Sequence, residues 1–167
     1  MAKIETVGII GFNVMGAAIG LNAATCGYKV IYKELNDELV KAMYDRWVKG
    51  ALEKRVAKGK MTQDDMDKVC GLITGTADYK DLADCDLIIE AAVEKMDLKI
   101  QIFKDLDKVV RPDTILASNT STFLIEKLME GISNPARTAG LHYFFPANIN
   151  RLVEVIRQKE TSDETFE

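Results

Sequence analysis

The chain has 167 residues, 47% of them hydrophobic and 29% charged, which is typical of one globular domain and excludes disordered, collagen-like and low-complexity protein. Its net charge of −4 at pH 7 excludes an overall basic surface for nucleic acid. No apolar run approaches the roughly 20 residues of a membrane-spanning helix. The N-terminus resembles neither a signal nor a transit peptide, and three unclustered cysteines indicate buried thiols in a reducing compartment. We therefore expect a soluble cytoplasmic domain.

The first 33 residues predict a βαβ unit. The apolar run 6–10 indicates a buried strand, the small and apolar residues of 14–26 recur at helical spacing, and 29–33 indicates a second strand. Gly11 follows the first strand, and Gly27 ends the helix, as a residue able to adopt a positive φ should. Such a crossover is almost always right-handed.

Residues 37–70 interrupt this alternation with an inserted helical hairpin. A long helix is predicted from Asp37 to about Lys58, and a second from the N-cap Thr62 to about Cys70. Further strands are predicted at 72–74, 87–89, 115–117, 138–142 and 152–156, with helices at 97–110 and 125–130. The alternation predicts an α/β fold with a Rossmann-type, doubly wound, mostly parallel sheet over a single domain of residues 1–167.

The last residues contain a helix start signal. Thr161 followed three residues later by Glu164 has the pattern of a capping box, yet the chain stops at Glu167. We therefore expect the chain to be one domain of a longer protein.

The loop after the first strand matches the dinucleotide fingerprint at its first and third glycines. Its residues are Gly11, Phe12, Asn13, Val14, Met15 and Gly16. Asn13 replaces the middle glycine; asparagine tolerates a positive φ, but its side chain must point away from the phosphates or bond to them. The helix from Val14 would offer free N–H groups to an anion. The glycines alone could equally indicate a structural tight turn. The strand before them and the helix after them favour dinucleotide binding.

An acidic residue follows the second strand. Glu34 stands 23 positions after Gly11, near the spacing at which a carboxylate accepts hydrogen bonds from ribose hydroxyls. Its charge would repel a 2′-phosphate, so NAD is favoured over NADP. Lys33 could favour the opposite choice, but strand alternation sends its side chain to the other face.

Polar residues gather at the predicted carboxyl ends of strands, where doubly wound sheets bind ligands. Glu90 and the segment 118–121 follow two strands, and His142, the only histidine, ends another. A lone histidine is also common as a structural residue. Glu154, inside an otherwise apolar strand, needs a partner because a buried unpaired carboxylate is costly. A contact between His142 and Glu154 would give the carboxylate its partner and the lone histidine a role. The carboxylate would orient the ring and stabilise an imidazolium.

Four segments together carry a family resemblance. Residues 88–94, 118–121, 140–144 and 152–156 are similar to the NAD-binding domain of 3-hydroxyacyl-CoA dehydrogenases, and the match covers essentially the whole chain. The resemblance implies an NAD-dependent enzyme of fatty acid β-oxidation that interconverts 3-hydroxyacyl-CoA and 3-oxoacyl-CoA by hydride transfer. It further implies a homodimer whose helical C-terminal domain is absent from this chain. No metal, nucleic acid or membrane partner is expected.

The resemblance also implies residue roles. His142 is the catalytic acid/base, Glu154 its partner, and Ser121 bonds the substrate oxygen. Glu94 and Lys99 line the nicotinamide half of the NAD site, with Asn119 beside it. A basic cluster in the hairpin consists of Lys49, Lys54, Arg55, Lys58 and Lys60. Its charge pattern alone indicates a solvated helix face, whereas the resemblance implies CoA-phosphate contacts for Lys58 and Lys60.

Two departures leave alternatives open. Asn13 replaces a glycine of the family, and Phe145-Pro146 stands where the family usually has Asn-Pro. The alternatives are an NAD-dependent dehydrogenase of another β-hydroxy acid without CoA, a non-catalytic structural homologue, and a nucleotide-binding regulator. The joint presence of His142, Glu154 and Ser121 argues against the structural homologue.

Overall fold

In the computed structural model, which describes residues 3–167, one seven-stranded sheet spans the chain. Its strands are β1 (Thr6–Ile10), β2 (Lys29–Lys33), β3 (Ile73–Thr76), β4 (Leu87–Glu90), β5 (Ile115–Ser118), β6 (Thr138–Tyr143) and β7 (Val153–Ile156). Their order is β3-β2-β1-β4-β5-β6-β7, and every neighbouring pair is parallel except β6 with β7. The predicted α/β, Rossmann-type, mostly parallel sheet is confirmed. Met1 and Ala2, part of the predicted domain 1–167, lie outside the described residues.

Helices connect most of the strands. They are α1 (Val14–Thr25), α2 (Asp37–Met43), α3 (Gly50–Ala57), α4 (Gln63–Gly71), α5 (Met96–Asp107), α6 (Ile125–Leu128) and α7 (Asp163–Phe166), with short 3₁₀ segments at Tyr79–Leu82 and Pro135–Arg137. Within residues 3–167, no helix has the length and apolar character needed to cross a bilayer.

The central strands are buried on both faces. Ile9 and Ile89 belong to one hydrophobic cluster, which includes residues of α1, whereas Ile10 and Ile88 belong to a second cluster with Phe103 of α5. Because successive side chains of a strand point to opposite faces, such strands must be apolar at consecutive positions. This burial explains the unbroken apolar runs in the sequence.

The segment between β2 and β3 is helical. Residues 37–57 form one continuous helical stretch whose middle, Tyr44–Lys49, is a π-helix, and α4 packs against α3. The segment joins the first cluster through Val48, Leu52 and Met66, which are all buried. The apolar residues of this segment therefore extend the first hydrophobic cluster, to which β1 and β2 also contribute.

Strand β7 forms an exposed edge. Three of its four residues are exposed, because the antiparallel pairing with β6 places it at the end of the sheet. The expectation of buried thiols is also only partly correct. Cys85 is buried, but Cys70 is half-buried and Cys26 is exposed.

The predicted capping box at 161–164 is wrong by one residue. Ser162 is the N-cap of α7, and its Oγ accepts a hydrogen bond from the N–H of Thr165 at 3.1 Å. Thr161 is buried instead, where its hydroxyl donates to the Thr138 carbonyl oxygen at 2.7 Å. Tertiary bonding to β6 thus removes Thr161 from the cap.

Candidate active site

The loop between β1 and α1 packs tightly against the end of β4. Gly11 has φ +83, and a Cβ there would lie 2.9 Å from the Ala92 Cα. A Cβ on Gly16 would lie only 2.0 Å from the Gly11 carbonyl oxygen. Both positions therefore exclude side chains, as the fingerprint requires of its tight turn and of its close helix contact.

Asn13 caps helix α1. Its backbone is extended, with φ −76, so the turn does not use the tolerance of asparagine for a positive φ. The side-chain Oδ1 accepts hydrogen bonds from the N–H groups of Met15 (3.0 Å) and Gly16 (3.3 Å), and Nδ2 donates to the Ala91 carbonyl oxygen at 2.8 Å. Two N–H groups that we expected to be free for an anion are therefore engaged by Asn13, because asparagine is a favoured N-cap.

Glu34 and Lys33 diverge at the end of β2. One Glu34 carboxylate oxygen, Oε1, accepts a hydrogen bond from the Phe12 N–H at 2.7 Å, which leaves Oε2 for a further donor. The Lys33 ammonium lies 4.4 Å from the centre of the Tyr79 ring, and burial lowers the pKa of Lys33. The two side chains therefore point to different faces, as strand alternation predicted.

His142 and Glu154 form the predicted contact. They are paired in the β6–β7 register, and His142 Nδ1 lies 2.7 Å from Glu154 Oε2. At this distance a carboxylate oxygen can accept a hydrogen from Nδ1, which is the tautomer in which Nε2 keeps a free lone pair. The expectation that Glu154 is buried is wrong: its side chain is 53% exposed, since β7 is an edge strand.

Ser121 shares a cavity with this pair. The cavity has a volume of about 450 Å³ and is lined mainly by the β5–α6 loop, β6, β7 and the residues that follow it; its lining includes Ser121, Leu124, Glu126, His142, Glu154 and Arg157. The structure thus brings the three residues predicted to be catalytic to one place. A larger cavity of about 680 Å³ lies beside Arg111 and Phe166 and contains none of the predicted site residues.

A fully buried ion pair lies beneath this site. Lys99, only 1% exposed, donates to Glu90 Oε1 at 2.6 Å, and Glu90 is itself 0% exposed. The other Glu90 oxygen accepts a hydrogen bond from the Ser118 hydroxyl at 2.6 Å. The Lys99 ammonium therefore faces inward, towards Glu90, and its place along the nicotinamide half of the NAD site stays a prediction. The sequence indicated Glu90 and Ser118 only as polar residues at strand ends and did not predict their contact, although the two are paired in the β4–β5 register.

Glu94 lies between this pair and the cavity. Its Oε2 is 3.2 Å from Lys99 Nζ, and its Oε1 accepts hydrogen bonds from the hydroxyls of Thr120 and, at 2.8 Å, Thr122. Burial opposes ionisation, but these hydrogen bonds and the Lys99 charge outweigh it, so the pKa of Glu94 is lowered. The carboxylate is thus ionised at neutral pH.

The remaining predicted residues lie in two places. Asn119 links the strand ends: its Oδ1 accepts from the Tyr143 N–H, and its own N–H donates to the Glu90 carbonyl oxygen, both at 2.8 Å. Lys58 and Lys60 are exposed in the turn between α3 and α4 and do not line the His142 cavity. No cluster of three metal-ligating side chains occurs within residues 3–167.

The chain matches the model of one protein family. A family model described as 3-hydroxyacyl-CoA dehydrogenase, NAD binding domain, matches residues 6–167. The chain is 42% identical to the peroxisomal fatty acid beta-oxidation multifunctional protein MFP2 of Arabidopsis thaliana over 96% of its own length and 22% of that protein. It is 41% identical to a 3-hydroxybutyryl-CoA dehydrogenase of Mycobacterium tuberculosis over 96% of its own length and 56% of the relative.

Solved structures show the same likeness. The crystal structure of M. tuberculosis FadB2 matches with a TM-score of 0.94 and 40% identity over 99% of this chain and 58% of that one. The 3-hydroxybutyryl-CoA dehydrogenase from Escherichia coli also gives a TM-score of 0.94, with 35% identity over 99% of this chain and 35% of that one. The chain thus spans between about a fifth and somewhat over half of these relatives.

We predict that Lys99→Met lowers the free energy of unfolding by about 3–5 kcal/mol, because it leaves the Glu90 carboxylate buried without its counter-charge. The double variant Lys99→Met/Glu90→Gln should recover much of the loss, since neither remaining side chain is charged. Urea denaturation measures both, with Lys104→Met on the exposed face of α5 as the matched control. A double variant as unstable as the single one would show that the ion pair is not the cause.

Proposed function

The chain belongs to the 3-hydroxyacyl-CoA dehydrogenase family as its NAD-binding domain, and from this premise we propose that the whole protein interconverts 3-hydroxyacyl-CoA and 3-oxoacyl-CoA. The observation that carries the proposal is the contact between His142 and Glu154 in the cavity that Ser121 also lines. An oriented imidazole beside a hydroxyl is what oxidation of a secondary alcohol requires, whereas a structural or regulatory homologue has no need of it.

The residues of the β1–α1 loop fit NAD, and Asn13 is the one departure from the glycine fingerprint. The close approaches at Gly11 and Gly16 provide the glycine cradle, and Glu34 Oε2 is free to accept from a ribose hydroxyl. The full set that would hold the cofactor comprises Gly11, Phe12, Asn13, Val14, Met15, Gly16, Glu34, Glu94 and Asn119. Lys99 would support this site through its ion pair with Glu94. When bound, NAD supplies the acceptor or donor of hydride.

His142 would move the proton. Nε2, which has a free lone pair, takes the proton from the 3-hydroxyl of the substrate in the oxidative direction and returns it in the reductive direction. The Glu154 carboxylate at 2.7 Å from Nδ1 keeps the ring in the required tautomer and stabilises the imidazolium that forms. The hydroxyl of Ser121 would donate to the substrate oxygen and hold it beside His142.

Lysines of the helical segment would contact the CoA phosphates. Lys58 and Lys60 are exposed and, within the described residues, neither is in an ion pair, so their charges are available to a polyanion. A few surface cations suffice for such a ligand even when the net charge is −4. The proposal extends to them because the name of one relative refers to a hydroxybutyryl-CoA substrate.

The proposal extends to the organisation of the whole protein. We infer that residues 1–167 are followed by a helical domain through which two copies associate as a homodimer. The support for a longer protein is that this chain spans only 56% of a 3-hydroxybutyryl-CoA dehydrogenase, whereas the helical domain and the homodimer are expected from the family resemblance alone. A cytoplasmic location is proposed from the sequence alone, and the MFP2 relative is named as peroxisomal.

The first test replaces the acid/base group. His142→Gln in the full-length protein should reduce turnover of acetoacetyl-CoA by at least about a hundredfold, because glutamine cannot transfer the proton. NADH affinity, measured by fluorescence titration, should stay within about twofold, since His142 lies outside the β1–α1 loop. Turnover like that of the wild type would exclude His142 as the acid/base.

A second test separates CoA recognition from NAD recognition. Lys58→Ala/Lys60→Ala should weaken retention on CoA resin and raise the KM for acetoacetyl-CoA by about tenfold, because two phosphate-binding charges are lost. NADH affinity should not change. The matched control is Lys41→Ala, a lysine of α2 on the same helical segment. Retention of Lys58→Ala/Lys60→Ala equal to that of Lys41→Ala would exclude Lys58 and Lys60 from the CoA site, and a wild-type protein that the resin does not retain would favour a dehydrogenase that does not use CoA.

A third test concerns the loop. Asn13→Gly should leave NADH affinity unchanged or tighter, because it releases the N–H groups of Met15 and Gly16 for the pyrophosphate. The free energy of unfolding should fall by only a few tenths of a kcal/mol, since glycine is a tolerable N-cap. Asn13→Ala is the control for lost capping. A large loss of affinity in Asn13→Gly would show that the Asn13 side chain contacts the cofactor.

A further inference from the structure

The loop that carries Ser121 is held by a single carboxylate. Ser121 is exposed in the segment 119–124 between β5 and α6, which has no regular secondary structure. The residues on either side of it, Thr120 and Thr122, both donate their hydroxyl hydrogens to the same oxygen, Oε1 of Glu94. The two ends of the turn at Ser121 are therefore joined through one acceptor.

Bonds within the loop reinforce this arrangement. The Thr120 Oγ1 also accepts from the N–H groups of Thr122 (3.3 Å) and Phe123 (3.1 Å), and the Thr120 N–H donates to Ser118 Oγ at 3.2 Å. Thr120 is buried and Ser118 ends β5. The position of Ser121 thus depends on the Thr120 side chain, which in turn depends on Glu94.

Glu94 is fixed from the opposite side. Its Oε2 contacts the Lys99 ammonium at 3.2 Å, and Lys99 is held by the fully buried Glu90 at 2.6 Å. Glu90 also accepts from Ser118 at 2.6 Å. The hydrogen bonds therefore form a closed ring from the end of β4 through α5 and the Ser121 loop to the end of β5, in which the Glu94 side chain is 40% exposed.

We propose that Glu94 is a positioning residue for Ser121, and that the buried Glu90–Lys99 pair acts through it. The inference rests on the proposed function, in which Ser121 holds the substrate oxygen. A hydrogen-bond donor in a reaction must be placed to within a fraction of an ångström, and an irregular loop provides that only when its side chains are locked. Glu94 holds the loop in place by accepting hydrogen bonds from two threonine hydroxyls.

Steady-state kinetics of the full-length protein test the proposal. Glu94→Ala should lower kcat/KM for acetoacetyl-CoA by about tenfold or more, because Ser121 loses its fixed position. Glu94→Gln should restore most of this loss, since its amide oxygen still accepts from both threonines. Because Glu94 is also one of the residues proposed to hold the cofactor, NADH affinity is measured separately and kcat/KM is compared at saturating NADH. The matched control is Asp97→Ala, which replaces an exposed acidic residue three positions after Glu94.

A double-mutant cycle separates positioning from a direct contact. In the Ser121→Ala background, Glu94→Ala should cause no further loss of kcat/KM, because it acts through a hydroxyl that is already absent. Thr122→Val, an exposed position, should reproduce part of the Glu94→Ala effect. A loss of kcat/KM on Glu94→Ala that is as large in the Ser121→Ala background as in the wild type would overturn the proposal.

Amide hydrogen exchange tests the same claim without turnover. The amides of residues 120–123 should exchange about tenfold faster in Glu94→Ala than in the wild type or Asp97→Ala, with NADH and substrate absent. Unchanged exchange in Glu94→Ala would overturn the inference whatever the activity. A wild-type protein that fails to oxidise NADH with any 3-oxoacyl-CoA would instead refute the proposed function, and the exchange experiment would still decide the role of Glu94 in the loop.

Discussion

The ion pair between Glu90 and Lys99 is the interaction on which the site depends. Both groups are almost completely removed from water, so each charge is tolerable only because the other is 2.6 Å away. The remaining hydrogen-bonding capacity of the pair is directed outward, to the Ser118 hydroxyl, the Ala92 backbone and Glu94. A buried pair of this kind contributes little net stability, but it specifies how helix α5, strands β4 and β5 and the loop between them fit together.

The pair formed by His142 and Glu154 has a different physical origin. His142 and Glu154 are brought together by the register of an antiparallel pair, in which directly opposed side chains lie on the same face about 5 Å apart. The switch from parallel to antiparallel pairing at β7 therefore creates the contact. Because β7 is an edge strand, Glu154 stays largely in water, where a carboxylate can stabilise an imidazolium without being costly to ionise.

The β1–α1 loop shows two uses of one helix terminus. The N–H groups of the first turn can be satisfied by a side chain or by an anion, and in this chain Asn13 satisfies two of them. The glycines on either side keep the backbone approach that NAD requires, since neither has room for a Cβ. Capping and cofactor binding therefore compete for the same donors, which a glycine at position 13 would avoid.

The sequence by itself determined the order of strands and helices, the glycine loop, the acid Glu34 and the pairing of His142 with Glu154, because periodicity, turn residues and strand-end positions are local signals. Only the tertiary structure decided that Lys99 faces inward, that Thr161 bonds to β6 instead of capping α7, and that Thr120 and Thr122 share Glu94. The reason is physical: these hydrogen bonds join residues 9 to 28 positions apart, and which polar group finds which partner depends on packing that no local pattern records.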